Sequence, residues 1–165
     1  MPPSDDRPAP EAAFLLAVAS DLENVRLLAE AACRALAPVL SDEDLIKVEI
    51  GLVEAANNVV LHACRGRGEH SIRLSCLLRD RTVTLLLEDD GVPPDGDLNR
   101  GGAPADGTAI DGAAVLCDGT DDAALPDGMA ECGRGLWLIR QCFSSVHFDS
   151  QDGINRVWLR FDRGA

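Results

Sequence analysis

No stretch of this 165-residue chain approaches the ~20 consecutive apolar residues that a membrane-spanning helix needs. The apolar run 14–19 is also too short for the core of a secretion signal. The residues before it, MPPSDDRPAP, lack the basic start of such a signal. Positive charge is scarce: 15 Lys and Arg stand against 28 Asp and Glu, a net charge of −13, and Lys47 is the one lysine. A general nucleic-acid binder needs a basic footprint, so direct contact with nucleic acid is not expected. The six cysteines form no C-x-x-C pair, and several sit inside apolar patterns. They read as buried thiols of a reducing compartment rather than bridges or metal ligands. These absences predict a cytoplasmic protein with no membrane association.

With 46% hydrophobic and 26% charged residues, the chain is neither disordered throughout nor a disulfide scaffold, and its length suits one core. Residues 1–11, rich in Pro and Asp, read as a loose arm, and 12–165 as a single domain. The run 14–19 predicts a strand. Asp21 or Ser20 caps a helix whose apolar residues recur from Leu22 to Leu36. Ser41–Asp44 opens a second helix running to about residue 63. Alternation at Ile72–Leu78 and Val83–Leu87 predicts a hairpin turning at 79–81. From Val92 to Cys132 there are seven Gly, nine acidic residues and one Arg (Arg100). A segment of that length and composition reads as a lid, with one short helical turn at 113–117. After Gly133 the pattern gives a helix and two strands joined at Gln151–Gly153. The order predicts an α+β two-layer sandwich, with a mixed, mostly antiparallel sheet and helices on one face.

Three groups of residues carry chemistry. Glu54, Asn58 and His62 recur at i, i+4 and i+8, about 0°, 40° and 80° around an α-helix. A carboxylate, an amide and an imidazole at a core edge can hold a cation and activate a hydroxyl. On spacing alone, the simpler reading is a solvated polar edge. Gly51 falls within the same stripe, where something approaches closely. In Leu85-Leu86-Leu87-Glu88-Asp89-Asp90-Gly91, strand alternation puts Asp89 at the end of the buried face. A charge there is expensive unless paired, and it could accept from a ligand amino group. The plainer alternative is a strand end followed by an Asp-Gly turn. Gly133-Arg134-Gly135-Leu136 stands at the start of a helix, where backbone N–H groups can meet an anion; a hinge is the commoner reason for such glycines.

In this order, Glu54…Asn58…His62, Asp89-Asp90-Gly91 and Gly133-Arg134-Gly135-Leu136-Trp137-Leu138-Ile139 resemble the three nucleotide-binding boxes of the Bergerat-fold ATPases. The closest branch is the bacterial anti-sigma factor serine kinases. The resemblance spans about residues 14–162, including Leu22–Arg26 and Asn155–Leu159. It implies binding of ATP and Mg²⁺. Asn58 would be the metal ligand, Glu54 the general base and Asp89 the acceptor of the adenine amino group. Gly91 would make room for the ring, and His62 would lie on the phosphate side or pack at the helix end. Gly133, Arg134 and Gly135 would form the lid hinge and phosphate contact. Three features depart from the pattern: Val92-Pro93-Pro94 after the aspartate box, Cys64 where an aromatic residue often stands, and a long lid of net charge −8.

The resemblance implies an ATP-dependent serine kinase that binds a sigma factor and phosphorylates a small antagonist protein. A nucleotide-binding interaction module with little kinase activity is the alternative. A detached histidine-kinase ATPase domain is disfavoured, because no helix before the first box carries a phosphoacceptor histidine. Relatives commonly dimerise.

Overall fold

Strand β1 (Glu11–Ala19) leads into α1 (Leu22–Leu36) and α2 (Asp42–Asn58). Then come β2 (Ser71–Arg79), β3 (Thr82–Asp89) and β4 (Ala114–Cys117), followed by α3 (Glu131–Cys142), β5 (Ser145–Gln151) and β6 (Ile154–Asp162). In this computed structural model the described residues are 11–79, 81–93, 114–117 and 131–163, with side chains at all but 11–13, 114–117 and 131–134. The expected arm (apart from Glu11, which begins β1) and most of the expected lid lie outside them.

The six strands form one sheet in the order β1-β2-β3-β6-β5-β4. Every pairing among the described residues is antiparallel, where a mixed, mostly antiparallel sheet was expected. The 113–117 segment differs from expectation: Ala114–Cys117 is a strand, not a helical turn. Its short aliphatic run pairs with β5, Ala114 opposite Phe148 and Val115 opposite His147, which satisfies backbone groups that one isolated helical turn would leave open. The β5–β6 hairpin turns at Asp152-Gly153 with φ of 54° and 76°, the two left-handed positions an Asp-Gly turn supplies.

The helix starts follow their capping chemistry. Asp21 accepts from the Glu23 N–H and Ser41 Oγ from the Asp44 N–H, both at 3.2 Å. Ser20 is not the cap; its hydroxyl donates to the Arg67 carbonyl. Period-2 patterning aims Ile72, Leu74 and Cys76 of β2, and Val83, Leu85 and Leu87 of β3, at the helices. They meet Leu28, Leu36, Val48 and Leu52, and all ten are essentially inaccessible. Cys33, Cys64, Cys76 and Cys142, the cysteines whose side chains are described, are free thiols. Burial pushes the Cys76 thiol up to about 11, so it packs as an apolar residue.

Gly51 is where α2 and α3 touch. A Cβ there would lie 2.5 Å from Phe143 Cε2 and 2.7 Å from Cys142 Cβ. The close approach foreseen from the sequence is thus made by α3. Gly51→Ala gains about 1 kcal/mol of helix propensity, but it forces a ring and a main-chain-bound carbon apart, at about 1–3 kcal/mol. We expect a net loss of stability, read as a lower urea midpoint at unchanged slope.

Candidate nucleotide site

The first box does not end as an α-helix. After Asn58 the chain widens into a π-helical turn, Val59–Ala63, closed by Cys64 N–H donating to Val59 O at 2.9 Å. The helix expected to run unbroken to residue 63 therefore changes pitch between Asn58 and His62, and the even stripe drawn from α-helical spacing stops at Asn58. The wide turn leaves the Ala63 carbonyl free to accept from the Val92 N–H at 2.8 Å. This contact ties the aspartate box to the end of the first box. A Cβ on Gly91 would stand 2.5 Å from that same carbonyl oxygen, so the close approach seen at Gly91 is that of Ala63.

The two neighbouring carboxylates of the second box point opposite ways. Asp90 is exposed, accepts from the Ser71 N–H at 2.9 Å and meets His70 Nδ1 at 3.2 Å. The Ser71 N–H is the main reason its carboxyl sits below the usual range. Asp89 is 3% exposed. Burial raises its carboxyl above the usual range, against the pull of hydrogen bonds from Asn155 and Gly91. Both of those bonds reach the same oxygen: Asn155 Nδ2 donates to Asp89 Oδ1 at 2.8 Å and the Gly91 N–H donates at 2.9 Å. Neither bond uses Oδ2, and Asp89 is one of the residues that line the cavity described below.

Asn155 is the residue that sequence reasoning missed. It is 1% exposed, and its amide is held in one orientation. Ser150 Oγ donates to its Oδ1 at 2.8 Å, while Nδ2 also reaches Gly91 O at 3.2 Å. The signal was available: Val157, Leu159 and Phe161 alternate inward, and two positions back on that face stands Asn155. In the register it lies opposite Asp89.

A cavity of about 620 Å³ opens between the end of α2, the π turn, α3 and the sheet. Asn58, His62 and Asp89 line it together with Asn155, and apolar residues such as Ile139, Val146 and Phe148 form much of the rest of its wall. His62 is exposed and faces this cavity. Glu54 and Asn58 meet at the α3 side. A Cβ on Gly135 would lie 3.3 Å from Glu54 Oε2 and 3.5 Å from Asn58 Oδ1, so both polar ends converge under the glycine. Gly133 and Arg134 belong to the first turn of α3, and the Arg134 side chain lies outside the described residues. The cavity thus carries two kinds of polar group: the buried carboxylate of Asp89, able to fix an amino group, and the Asn58 amide, whose polar end lies close to Glu54 Oε2 beneath Gly135. The amide oxygen is a hard donor of the kind Mg²⁺ takes. Among the described residues no three His, Cys, Asp or Glu side chains gather to hold a metal ion.

This antiparallel sheet with helices on one face, carrying a polar-ended cavity between the central helix and the sheet, defines an ATP-binding domain of the kinase-like ATPase class. Residues 17–161 match the histidine kinase-like ATPase domain, and the chain belongs to that family. No curated protein matches the chain significantly. Among the described residues no helix is long and apolar enough to cross a membrane.

Proposed function

We propose that the protein is an ATP-dependent serine kinase of the anti-sigma type, which sequesters a sigma factor and phosphorylates a small antagonist protein in the cytoplasm. The observation that carries this reading is the convergence of Glu54 and Asn58 beneath Gly135, Asn58 lining the same cavity as Asp89. Binding of ATP alone needs Asp89 and a metal-holding oxygen; it does not need a carboxylate beside that oxygen. A protein kinase does need one, to take the proton of the attacking hydroxyl.

In this reading Asp89 Oδ2 accepts from the adenine amino group, with Asn155 holding the carboxylate in place. Asn58 holds Mg²⁺, which supplies charge neutralisation of the phosphates when bound. His62 and the start of α3, with Gly133, Arg134 and Gly135, face the phosphate side. Glu54 accepts the serine proton as the hydroxyl oxygen bonds to the γ-phosphorus and the bond from that phosphorus to the β–γ bridging oxygen breaks, releasing ADP.

The test is phosphotransfer from labelled ATP to purified candidate antagonist proteins, with Mg²⁺ present or chelated. Acid-stable label on a single serine, lost on chelation, is the expected result. Acid-labile label on histidine would assign the domain to histidine-kinase chemistry. Tight ATP binding with no transfer to any candidate would leave a nucleotide-dependent interaction module.

A further inference from the structure

We infer that Arg65 closes the base end of the nucleotide cavity, its guanidinium packing on the open face of the adenine ring; this rests on the ATP-binding reading above. The first box ends in two successive left-handed residues, Arg65 at φ 53° and Gly66 at φ 65°. The Gly66 N–H closes the turn on Val60 O at 2.7 Å. Glycine adopts this conformation freely, whereas any residue with a Cβ is strained in it. The chain nonetheless places its longest side chain there, and such strain is kept where the surroundings or a ligand use it.

Its position says which part of a ligand it meets. Arg65 lines the cavity together with Val92 and Pro93. It stands two residues beyond Ala63, whose carbonyl anchors the aspartate box, and seven beyond Asn58. A Cβ on Gly91 would lie 2.5 Å from the Ala63 oxygen and 3.0 Å from Asp89 Oδ1, so the chain leading into Arg65 runs beside Asp89. Among the described residues lining the cavity it is the one permanent cation, and no described carboxylate forms an ion pair with it. Asp89 fixes a base by its edge and leaves the ring faces to other contacts. A guanidinium is planar, weakly hydrated and suited to stacking on an aromatic face.

Arg65→Gly is the informative variant, because glycine fits the left-handed backbone and removes only the side chain. Calorimetry would compare adenosine, ADP and ATP on wild type and variant. We expect all three to weaken by the same factor, about 2- to 30-fold, with a thermal midpoint no lower than that of the wild type. Unchanged adenosine affinity, or a loss growing from adenosine to ATP, would place Arg65 on the phosphates or nowhere and overturn the assignment. A wild type that binds neither adenosine nor ATP would remove the nucleotide reading itself, and Arg65 with it.

Discussion

Glu54→Gln is expected to bind ATP as the wild type does and to transfer phosphate about 10²–10⁴-fold more slowly, the usual contribution of a general base. The substitution keeps the side chain's length and its capacity to hydrogen bond beneath Gly135, where Oε2 now faces the helix at close range. It removes only the basic oxygen. Asp89, Asn155 and Asn58 are untouched, so calorimetric affinity for ATP is expected to stay within about twofold, well below the effect of losing a charged hydrogen bond. An Asn58→Ala control separates the two ends of the polar pair: it is expected to lose Mg²⁺-dependent binding and transfer together. Full kinase activity in Glu54→Gln would mean that another group takes the proton, and Glu54 would then be a polar edge, as its spacing alone allowed.

That ambiguity shows what the sequence could and could not convey. Period-2 alternation placed Asp89 on the helix-facing side of β3 because a strand's geometry is nearly invariant, and the structure finds it 3% exposed. The same rule would have reached Asn155 had the last strand been traced two residues further back. Helical spacing was less dependable. It assumed 3.6 residues per turn as far as residue 63, whereas the chain widens after Asn58. No local pattern in Val59-Val60-Leu61-His62-Ala63 announces a π turn. What favours it is a tertiary contact, the Ala63 carbonyl meeting the Val92 N–H from a loop nearly thirty residues away. Gly51 was legible as a place of close approach, whereas Gly91 was read as room for a ligand ring and the structure sets the Ala63 carbonyl against it. The partners, Phe143 with Cys142 and the Ala63 carbonyl, come from elements distant in sequence. β4 was misread because the five apolar residues 113–117 carry no period long enough to tell one turn of helix from a strand; the pairing of Ala114–Cys117 with β5 decides the matter.

Asp89→Asn is expected to uncouple folding from binding. In the wild type, Asp89 Oδ1 is satisfied by Asn155 and Gly91, and burial makes its charge costly. An asparagine amide oxygen accepts the same two hydrogen bonds, and its NH₂ takes the place of Oδ2 toward the cavity. The fold loses a desolvated charge and no hydrogen bond, so the thermal midpoint at neutral pH is expected to equal or exceed that of the wild type. Binding is expected to move the other way. The new NH₂ faces the adenine amino group, donor against donor, and affinity falls by about 1–3 kcal/mol, or about 5- to 150-fold. The pH dependence supplies an independent check. The folded-state carboxyl of Asp89 lies above its unfolded value, so the native state binds that proton more tightly. Lowering the pH from the raised value toward the ordinary carboxylate value therefore favours folding through this group. Asp90, held below the usual range chiefly by the Ser71 N–H, acts oppositely and loses its contribution as the pH falls through its depressed value. Because Asp90 is present in both proteins, the wild-type-minus-variant difference isolates Asp89: the wild type should gain stability relative to Asp89→Asn as the pH is lowered through that window. Denaturant midpoints measured in parallel at several pH values would show this. A difference that stayed flat, or an ATP affinity equal in the two proteins, would mean that the buried carboxylate serves the fold and not the base.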